Sequence, residues 1–319
     1  MARLVPIASG KGGVGKSVIA ANLGLALSRL DRTVVLVDLD LGGSNLHTVL
    51  GVKNNRAGLG SFIWKRERSL HALLAETGYD RLWLIPGDGL LPGTANLEWF
   101  TKKRIIKELE ALPADYIILD LGAGSSYNVV DFFLVSGEGV IVIRPEITSV
   151  LNAYAFLKTV AFRVMSRSFP DKSPGRAAVN EFAAVKNEGT GSSYIDFARD
   201  LASRFPEGQA ALDRLCAFRP RVVVNMGSSA ADALLCRRLR DIAGKNLGIG
   251  VDFAAYIRSD PELPASVAAR RPLVDINSSS PFSRGIADLA SRLASSPASA
   301  ALELHDGDDI AAMIEEGTT

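Results

Sequence analysis

The sequence predicts an α/β fold in which a mostly parallel, doubly wound sheet carries helices on both faces. Short β-branched apolar runs alternate with longer helical stretches along most of the 319 residues. Most of these runs are apolar at consecutive positions, which suits parallel strands covered on both faces. Aromatic residues make up only 7% of the chain while glycines number 29, which favours tight strand–helix turns over a β-sandwich.

Seven strands are expected, with the intervening helices supplying right-handed crossovers. In chain order the strands are predicted at Leu4–Ala8, Thr33–Leu39, Leu82–Ile85, Tyr116–Asp120, Gly139–Arg144, Arg221–Asn225 and Phe253–Ile257. The clearest helical runs are Val18–Leu30, Leu97–Leu112 and Ser149–Met165, and the last two carry apolar stripes at spacings of three and four.

The segment 166–219 interrupts this alternation because it offers no convincing strand. It begins with a polar run containing Gly, Pro and Ser, and helices are predicted near Ile195–Phe205 and Gln209–Phe218. We interpret it as a helical insertion, since it lacks the apolar residues for a core of its own. One domain is therefore expected at residues 1–295, followed by a tail at 296–319.

Charge divides the chain at the same point. The 36 Lys and Arg residues nearly balance the 35 Asp and Glu residues, for a formal net charge of +1. Six acidic residues and no Lys or Arg fall in 296–319, so 36 basic residues oppose 29 acidic ones in 1–295, a net charge of +7. Bulk coating of nucleic acid is excluded and DNA is not indicated, although a modest surface for DNA or an acidic partner stays open.

The two cysteines, Cys216 and Cys236, exclude a disulfide framework and a four-cysteine metal site within one chain. They are interpreted as buried thiols. No apolar run reaches the roughly 18 residues of a membrane span, and the first residues lack the apolar region of a signal peptide. A cytoplasmic location is expected.

A glycine-rich motif joins the first predicted strand to the first predicted helix. It matches the pattern G-x-x-x-x-G-K-[ST] in full and reads Gly10-Lys11-Gly12-Gly13-Val14-Gly15-Lys16-Ser17. Glycines let backbone N–H groups wrap a phosphate, and the helix N-terminus adds its positive end. Lys16 is expected to reach the β- and γ-phosphates and Ser17 to bind Mg²⁺. The motif, together with the next residue Val18, therefore predicts a phosphate-binding P-loop.

The second lysine of the motif carries a family resemblance. Residues 11–17, Lys-Gly-Gly-Val-Gly-Lys-Ser, are the deviant Walker A sequence of the MinD/ParA family, which the chain resembles over about 1–164 and 219–292. The resemblance implies a P-loop NTPase of the deviant Walker A (SIMIBI) type that hydrolyses ATP slowly and forms a homodimer with MgATP. It also implies that Lys11 reaches across the dimer interface to the partner's nucleotide, much as an arginine finger does.

Three aspartates at predicted strand ends extend the resemblance. Asp38 and Asp40 resemble the switch I segment, and side chains at i and i+2 of an extended chain point to the same side. By resemblance, Asp40 positions the attacking water and Asp38 supports Mg²⁺ through water. Asp120 ends a Walker B-like strand before Gly122 and Gly124 of a switch II loop, and is expected to hold the water shell of Mg²⁺.

Two later segments complete the resemblance. The turn at 144–149 is expected to contribute to switch or dimer surfaces. A guanine site in this superfamily normally shows Asn-Lys-x-Asp after a late strand, whereas here the strand continues Asn225-Met226-Gly227 without the Lys or the Asp. Asn225 can pair with adenine through its two-sided amide, so ATP is favoured over GTP.

The predicted role is an ATP-dependent switch that positions or regulates an unidentified protein partner, as MinD, ParA and FlhG-type proteins do, with an FlhG-like branch in view. Two alternatives on the same fold stay open: an Mrp-like iron–sulfur or metal carrier ATPase, and an ATP-dependent amidation enzyme. MinD-type proteins end in a basic amphipathic helix that lies on anionic lipid. The tail here is acidic, so direct membrane binding through it is not expected. Disorder, docking on a partner and docking on the chain's own body are alternatives for the tail.

Overall fold

A computed structural model describes residues 2–53, 57–87, 97–137, 139–187 and 192–295. Their backbone forms one eight-stranded sheet in the order β3-β4-β2-β5-β1-β6-β7-β8. The strands are β1 (Arg3–Ser9), β2 (Val34–Leu39), β3 (Ala75–Glu76), β4 (Leu82–Ile85), β5 (Tyr116–Ala123), β6 (Val140–Ile143), β7 (Arg221–Gly227) and β8 (Asp252–Arg258).

Helices connect and cover these strands. They are α1 (Lys16–Ser28), α2 (Leu46–Val49), α3 (Leu59–Ile63), α4 (Trp99–Glu110), α5 (Tyr127–Phe133), α6 (Ile147–Arg167), α7 (Pro174–Asn187), α8 (Tyr194–Arg204), α9 (Gly208–Ala217), α10 (Asp232–Leu247), α11 (Leu263–Ala268), α12 (Leu273–Ile276) and α13 (Pro281–Ser295). A single 3-10 turn at Leu70–Leu73 precedes β3.

The pairing confirms the predicted α/β fold with a mostly parallel sheet. All neighbouring strands run parallel except β3, which pairs antiparallel with β4 through Ala75 and Glu76. Each of the seven predicted strands appears: β4 has the predicted bounds, and the others have one or both ends moved by one to three residues. The prediction omitted β3 because two residues at a sheet edge carry no readable periodicity.

The two faces of the sheet bury separate clusters of apolar side chains. On one face α1, α12 and α13 pack together, with Leu23 and Phe282 fully buried. On the other face α4, α5, α6 and α10 pack together, and Phe133 lies edge-on to Phe156 with ring centroids 5.0 Å apart. Because both faces are covered, the carboxyl ends of the parallel strands form the open edge where a ligand site is expected.

The segment 166–219 is helical in its described part and holds α7, α8 and α9. It packs against α6 and α10, and its buried side chains belong to the same cluster as those helices. The sequence prediction placed no helix at α7, although a signal was present. Ser173 Oγ accepts a hydrogen bond from Arg176 N at 3.2 Å and Pro174 follows at the first helical position, which is an N-cap and N1 pair.

The predicted acidic tail 296–319 lies outside the described residues. Within the described ranges, no helix combines the length and the apolar character that crossing a membrane requires.

Candidate nucleotide-binding site

The glycine-rich loop lies between the end of β1 at Ser9 and the start of α1 at Lys16, at the carboxyl edge of the sheet. Gly13 and Gly15 have φ angles of 77° and 91°, which lie in the left-handed region that favours glycine. Gly15 is the residue directly before α1, so the loop turns sharply and delivers the backbone N–H groups of the helix N-terminus to the same place.

The four loop glycines fall into two kinds. A Cβ at Gly10 would lie 2.2 Å from the backbone oxygen of Asn152, and one at Gly15 would lie 2.4 Å from Asn225 Nδ2. A Cβ at Gly12 or Gly13 would meet no atom of the described residues within 4 Å. Gly10 and Gly15 are therefore needed by packing, whereas Gly12 and Gly13 border open space of the kind that a phosphate requires.

A buried lysine and a buried aspartate face each other beneath this loop. Lys16 is buried, and its Nζ lies 3.8 Å from Oδ1 of Asp120. Neither carboxylate oxygen of the fully buried Asp120 accepts a hydrogen bond of normal geometry from the part of the chain that the structure describes, although the Ser17 hydroxyl is near enough to lower the pKa of Asp120. A buried carboxylate without hydrogen bonds is costly, so its environment suits an added hydrogen-bond donor such as a metal-bound water.

Strand register places a second carboxylate beside the first. Asp38 on β2 is the register partner of Asp120 on β5, which also pairs with Ile7 at the end of β1. Burial raises the pKa of Asp120 to about 7; the charge of Lys16 opposes this rise and the charge of Asp38 adds to it. Burial likewise raises the pKa of Asp38 above its ordinary value, although hydrogen bonds from Ser44 and from two backbone N–H groups lower it.

The two aspartates of the predicted switch I segment have different surroundings. Asp38 accepts hydrogen bonds from Ser44 Oγ at 2.7 Å, from Leu46 N at 3.1 Å and from Asp40 N at 3.1 Å, so it holds the start of the following loop. Asp40 is half-buried, and a Cβ at Gly122 would lie 3.4 Å from its Oδ1. Asp40 therefore faces the segment predicted as switch II.

Lys11 lies on the rim of the loop and is bound by its own chain. Its Nζ donates to Glu146 Oε2 at 2.8 Å and to Thr148 Oγ1 at 3.2 Å. Arg144 holds the other carboxylate oxygen of Glu146 at 2.9 Å. The hydrogen bond from Lys11 and the charge of Arg144 hold the pKa of Glu146 below its ordinary value. The sequence predicts that the turn at 144–149 contributes to switch or dimer surfaces, but no pattern in it indicates that Glu146 pairs with Lys11.

Asn225 reaches the loop from β7. It is buried, and its Nδ2 donates to the backbone oxygen of Val14 at 2.8 Å. Its Oδ1 is buried and has no hydrogen-bond partner among the described residues. The donor side of the predicted two-sided amide is thus bound to the loop, and the acceptor side is buried without a partner among the described residues.

Sequence reasoning missed the side chains that fix the turn after Asn225. Met226 has a φ of 57°, in the left-handed region that few residues other than glycine adopt. Asp232 Oδ2 accepts from Ser228 N at 2.8 Å and from Tyr256 Oη at 2.7 Å. These contacts join β7, α10 and β8 around the turn. The residue types alone gave no signal, because Asp232 and Tyr256 meet only through the parallel pairing of β7 with β8.

The two cysteines lie on different helices, α9 and α10. Cys236 on α10 is buried, and burial raises the pKa of its thiol to about 12. Cys216 on α9 is exposed, so its interpretation as a buried thiol was wrong. In the described residues no three His, Cys, Asp or Glu side chains are grouped so that they could hold a metal ion.

The loop, the helix that follows it and the buried carboxylates on neighbouring parallel strands define a P-loop nucleotide-binding domain. Comparison with protein families agrees: the model of the CobQ/CobB/MinD/ParA nucleotide binding domain matches residues 5–274. The chain belongs to this family, which confirms the predicted resemblance.

Several similar proteins carry names from the same family. A septum site-determining protein MinD of Oltmannsiellopsis viridis is 35% identical over 156 residues, which are 47% of this chain and 48% of the relative. The flagellum site-determining protein YlxH of Helicobacter pylori is 35% identical over 162 residues, or 49% and 53% of the two chains. The antiactivator FleN of Pseudomonas aeruginosa is 30% identical over 213 residues, or 64% and 73%. The chain spans about half the length of the first two relatives.

Solved structures confirm the fold. MinD from Pyrococcus horikoshii in complex with Mg-ADP superposes with a TM-score of 0.60 at 19% identity, over 92% of this chain and 97% of that one. MinD of the MinC:MinD complex from Aquifex aeolicus gives a TM-score of 0.60 at 21% identity, over 95% and 98%.

Proposed function

We propose that the chain binds MgATP at the glycine-rich loop and hydrolyses it slowly, as a switch that dimerises in the ATP state. The observation that carries the proposal is the buried Asp120, whose two oxygens have no hydrogen-bond partner among the described residues and which faces Lys16 beneath the loop. A lysine, a buried carboxylate and a helix N-terminus at one loop form a set that suits a polyphosphate with its metal ion.

In this proposal each site residue has one task. Backbone N–H groups from Gly10 to Val18 surround the phosphates, and Lys16 pairs with the β- and γ-phosphate oxygens. Ser17 would hold Mg²⁺ directly, and Asp38 and Asp120 would hold its water shell. When bound, Mg²⁺ supplies positive charge that offsets the charge of the phosphates.

Hydrolysis is assigned to groups at the open edge of the sheet. In the proposal, Asp40 accepts a hydrogen bond from a water near the terminal phosphate and orients that water, and its proximity to Gly122 of the predicted switch II supports this role. Lys16 stabilises the negative charge that builds on the transferred group. Lys11 of a second copy would add a further positive charge there, which ties hydrolysis to dimerisation.

The preference for ATP over GTP rests on Asn225. Its Oδ1 is a buried acceptor without a partner in the described chain, while Nδ2 is bound to Val14 O. Adenine offers an amino group at the position where guanine has a carbonyl oxygen. A buried acceptor therefore attracts adenine and repels guanine, and a site built around such a group discriminates strongly.

The dimer is proposed to form on the face that carries the loop and the start of α6. Ile147 and Leu151, one helical turn apart beside Glu146, leave 64% and 56% of their surface exposed. Exposed apolar side chains beside Lys11 suit a surface that a second copy covers.

The proposal also includes regulation of a partner protein. The relatives bear the names of a septum site-determining protein, a flagellum site-determining protein and an antiactivator. We infer a role in positioning or regulating another protein, with residues 1–295 as the ATPase domain and 166–219 as a helical insertion in it.

Calorimetric titration of the purified chain with the slowly hydrolysed analogue ATPγS and with GTPγS, both with Mg²⁺, tests nucleotide binding. Phosphate release from ATP tests hydrolysis. We expect binding of ATPγS at least about tenfold tighter than of GTPγS, and loss of both activities in Lys16→Ala. Lys103→Ala removes an exposed lysine of α4 and is the matched control. Equal affinity for the two nucleotides, or unchanged binding in Lys16→Ala, would contradict the proposal.

A further inference from the structure

A basic and aromatic cleft lies where α4, α6 and α7 meet, away from the glycine-rich loop. It encloses about 480 Å³ and is lined by Trp99, Arg163, Arg167, Phe169, Asp171 and Arg176. Trp99 is half exposed, and the guanidinium of Arg167 lies 4.7 Å from the centre of its ring. We call this feature the arginine cleft.

Positive charge exceeds negative charge at the arginine cleft. The buried carboxylate of Asp131 is bound by Lys102 at 2.7 Å, by Arg163 at 2.7 Å and by Arg167 at 3.0 Å. Asp131 thus faces three cations, and a fourth cation, Arg176, lies 3.6 Å from the exposed carboxylate of Asp171, so four cations stand against two carboxylates. Burial and the charges of Arg163 and Arg176 hold the pKa of Arg167 below its ordinary value, although Asp131 opposes this. An additional anion at the cleft would relieve this repulsion.

A second cleft adjoins the first and is mostly apolar. It encloses about 390 Å³, shares Arg167 with the arginine cleft, and is lined by Leu134, Val164 and Phe218 among others. Arg214 lies on its rim and is exposed. The two clefts together therefore suit a segment that carries both carboxylates and apolar side chains.

Much of this surface comes from the segment 166–219, which contributes nothing to the glycine-rich loop. Phe169, Arg176, Arg214 and Phe218 all belong to it. Surface arginines are usually just exposed to solvent. Here, however, aromatic and apolar side chains line the same clefts as the arginines. That combination favours a binding surface over a merely solvated one.

The chain itself contains a segment with the complementary chemistry. Residues 296–319 carry six acidic residues and no Lys or Arg, together with the apolar residues Ile310, Met313 and Ile314. The last described helix, α13, ends at Ser295. Twenty-four extended residues span up to about 80 Å, whereas a domain of this size has a radius of gyration of about 19 Å. The tail is therefore long enough to pass from the end of α13 to the opposite face of the sheet, where α4 and α6 lie.

We propose that residues 296–319 bind in cis to the arginine cleft and the adjoining apolar cleft. Tail carboxylates would pair with Arg167, Arg176 and Arg214, and the apolar tail residues would pack in the neighbouring cleft. The docked tail covers the positive surface and excludes other acidic segments from it. This binding does not depend on the nucleotide site.

Site-specific photo-cross-linking in the full chain tests the proposal. Met313→p-benzoylphenylalanine places the cross-linker among the apolar tail residues, and equal amounts of isotopically light and heavy protein are mixed before illumination. Mass spectrometry is expected to find cross-links that join the tail to residues 163–176 or 205–218 within one copy. Cross-links to other surfaces, cross-links between light and heavy copies, or no cross-links would overturn the proposal.

Charge-reversal variants of the clefts provide a second test in the same cross-linking experiment. Arg176→Glu with Arg214→Glu is expected to reduce the yield of these cross-links by about fivefold to tenfold, because each change removes an attraction and adds a repulsion. Arg199→Glu with Arg204→Glu changes two exposed arginines of α8 in the same segment and is expected to leave the yield unchanged. Equal loss in both pairs would contradict a specific site.

Substitutions in the tail test the same contact without changing any residue of the folded domain. Asp306→Asn with Asp308→Asn and Asp309→Asn removes three tail charges without touching the described residues. The cross-link yield is expected to fall by a similar factor, with an unchanged urea unfolding midpoint. An unchanged yield would overturn the role of charge in tail binding.

Discussion

Lys11 Nζ donates to Glu146 Oε2 at 2.8 Å although the two residues are 135 positions apart in the chain. The lysine that the family resemblance assigns to a partner's nucleotide is therefore held by its own chain in the single copy. Arg144 fixes the other oxygen of Glu146. In the proposed dimer, Lys11 would have to leave this carboxylate to enter a second copy's site, so the ion pair would compete with dimerisation.

Glu146→Gln should favour the dimer. The neutral amide keeps the shape of the side chain but removes the charge that holds Lys11, so half-maximal dimerisation should need about two- to fivefold less ATP. Sedimentation velocity across an ATP titration measures this, and Glu110→Gln, at the end of α4, is a matched control with an exposed glutamate. A Glu146→Gln protein that needs more ATP than the wild type would show that Glu146 supports the dimer instead.

The two kinds of loop glycine should respond differently to alanine. Gly10→Ala places a Cβ 2.2 Å from a backbone oxygen, so we expect it to lower the free energy of unfolding of the ligand-free protein by about 1–3 kcal/mol. Gly12→Ala meets open space and should leave this free energy unchanged while weakening nucleotide binding. Urea titration and ATPγS calorimetry on both variants measure the two effects. Equal destabilisation by both substitutions would show that the loop is packed differently.

Asp120 should make the ligand-free fold less stable as pH rises. Burial raises its pKa to about 7 from an ordinary 3.8. An acid with a raised folded-state pKa contributes stability below its unfolded pKa and loses it as the pH rises through the folded value. The Asp120→Asn side chain stays neutral at every pH. The free energy of unfolding of this variant should therefore rise, relative to that of the wild type, by on the order of 2–4 kcal/mol between about pH 4 and pH 8.

Urea unfolding of the nucleotide-free proteins at about pH 5 and about pH 8.5 measures that gain. Asp241→Asn changes an exposed aspartate of α10 and should show no such pH dependence. If the free energies of unfolding of the wild type and Asp120→Asn differed by the same amount at both pH values, the result would contradict a raised pKa of Asp120.

Asp131 should have the opposite pH dependence. Burial raises its pKa, but hydrogen bonds from Arg163 and Lys102 and the charge of Arg167 outweigh burial and hold the pKa below its usual range. The stabilisation of the fold by the ionised Asp131 carboxylate is therefore present above the ordinary pKa of an aspartate and is lost as the pH falls through the lowered pKa. Asp131→Asn leaves three cations without their carboxylate and should cost about 2–4 kcal/mol at neutral pH.

The cost of Asp131→Asn should shrink as the pH falls below about 4, because the carboxylate of the unfolded chain is protonated there while the folded protein takes up its proton only at the lowered pKa. Urea midpoints across this range measure it. Asp200→Asn removes the carboxylate of an exposed ion pair on α8 and should cost well under about 1 kcal/mol. A similar cost for both substitutions would show that the Asp131 cluster is not a buried network.

Local patterns were enough to predict the sheet and the phosphate loop. The glycine-rich motif fixed both the position of Lys16 and the first β–α unit, and apolar runs ending in Asp38 and Asp120 predicted carboxylates at one edge of the sheet. The register of β2 and β5 then makes these two aspartates direct neighbours. Such features follow from short-range sequence because each depends on one strand end and one turn.

Contacts between distant residues were not predictable in the same way. The pairing of Lys11 with Glu146 depends on how β6 lies beside β1, and no residue pattern states that neighbourhood. The helix α7 was missed because its polar start masked a Ser173–Pro174 cap. The exposure of Cys216 depends on which face α9 turns to the core, and its short length makes that face hard to read from sequence.

In the proposed switch, ATP joins two copies and hydrolysis separates them. Asp40→Ala should bind ATP but hydrolyse it too slowly to release the partner. Size exclusion with light scattering in MgATP is predicted to show a stable dimer of this variant and a monomer of the double variant Asp40→Ala with Lys11→Ala. An Asp40→Ala protein that binds MgATP and remains monomeric would contradict the switch.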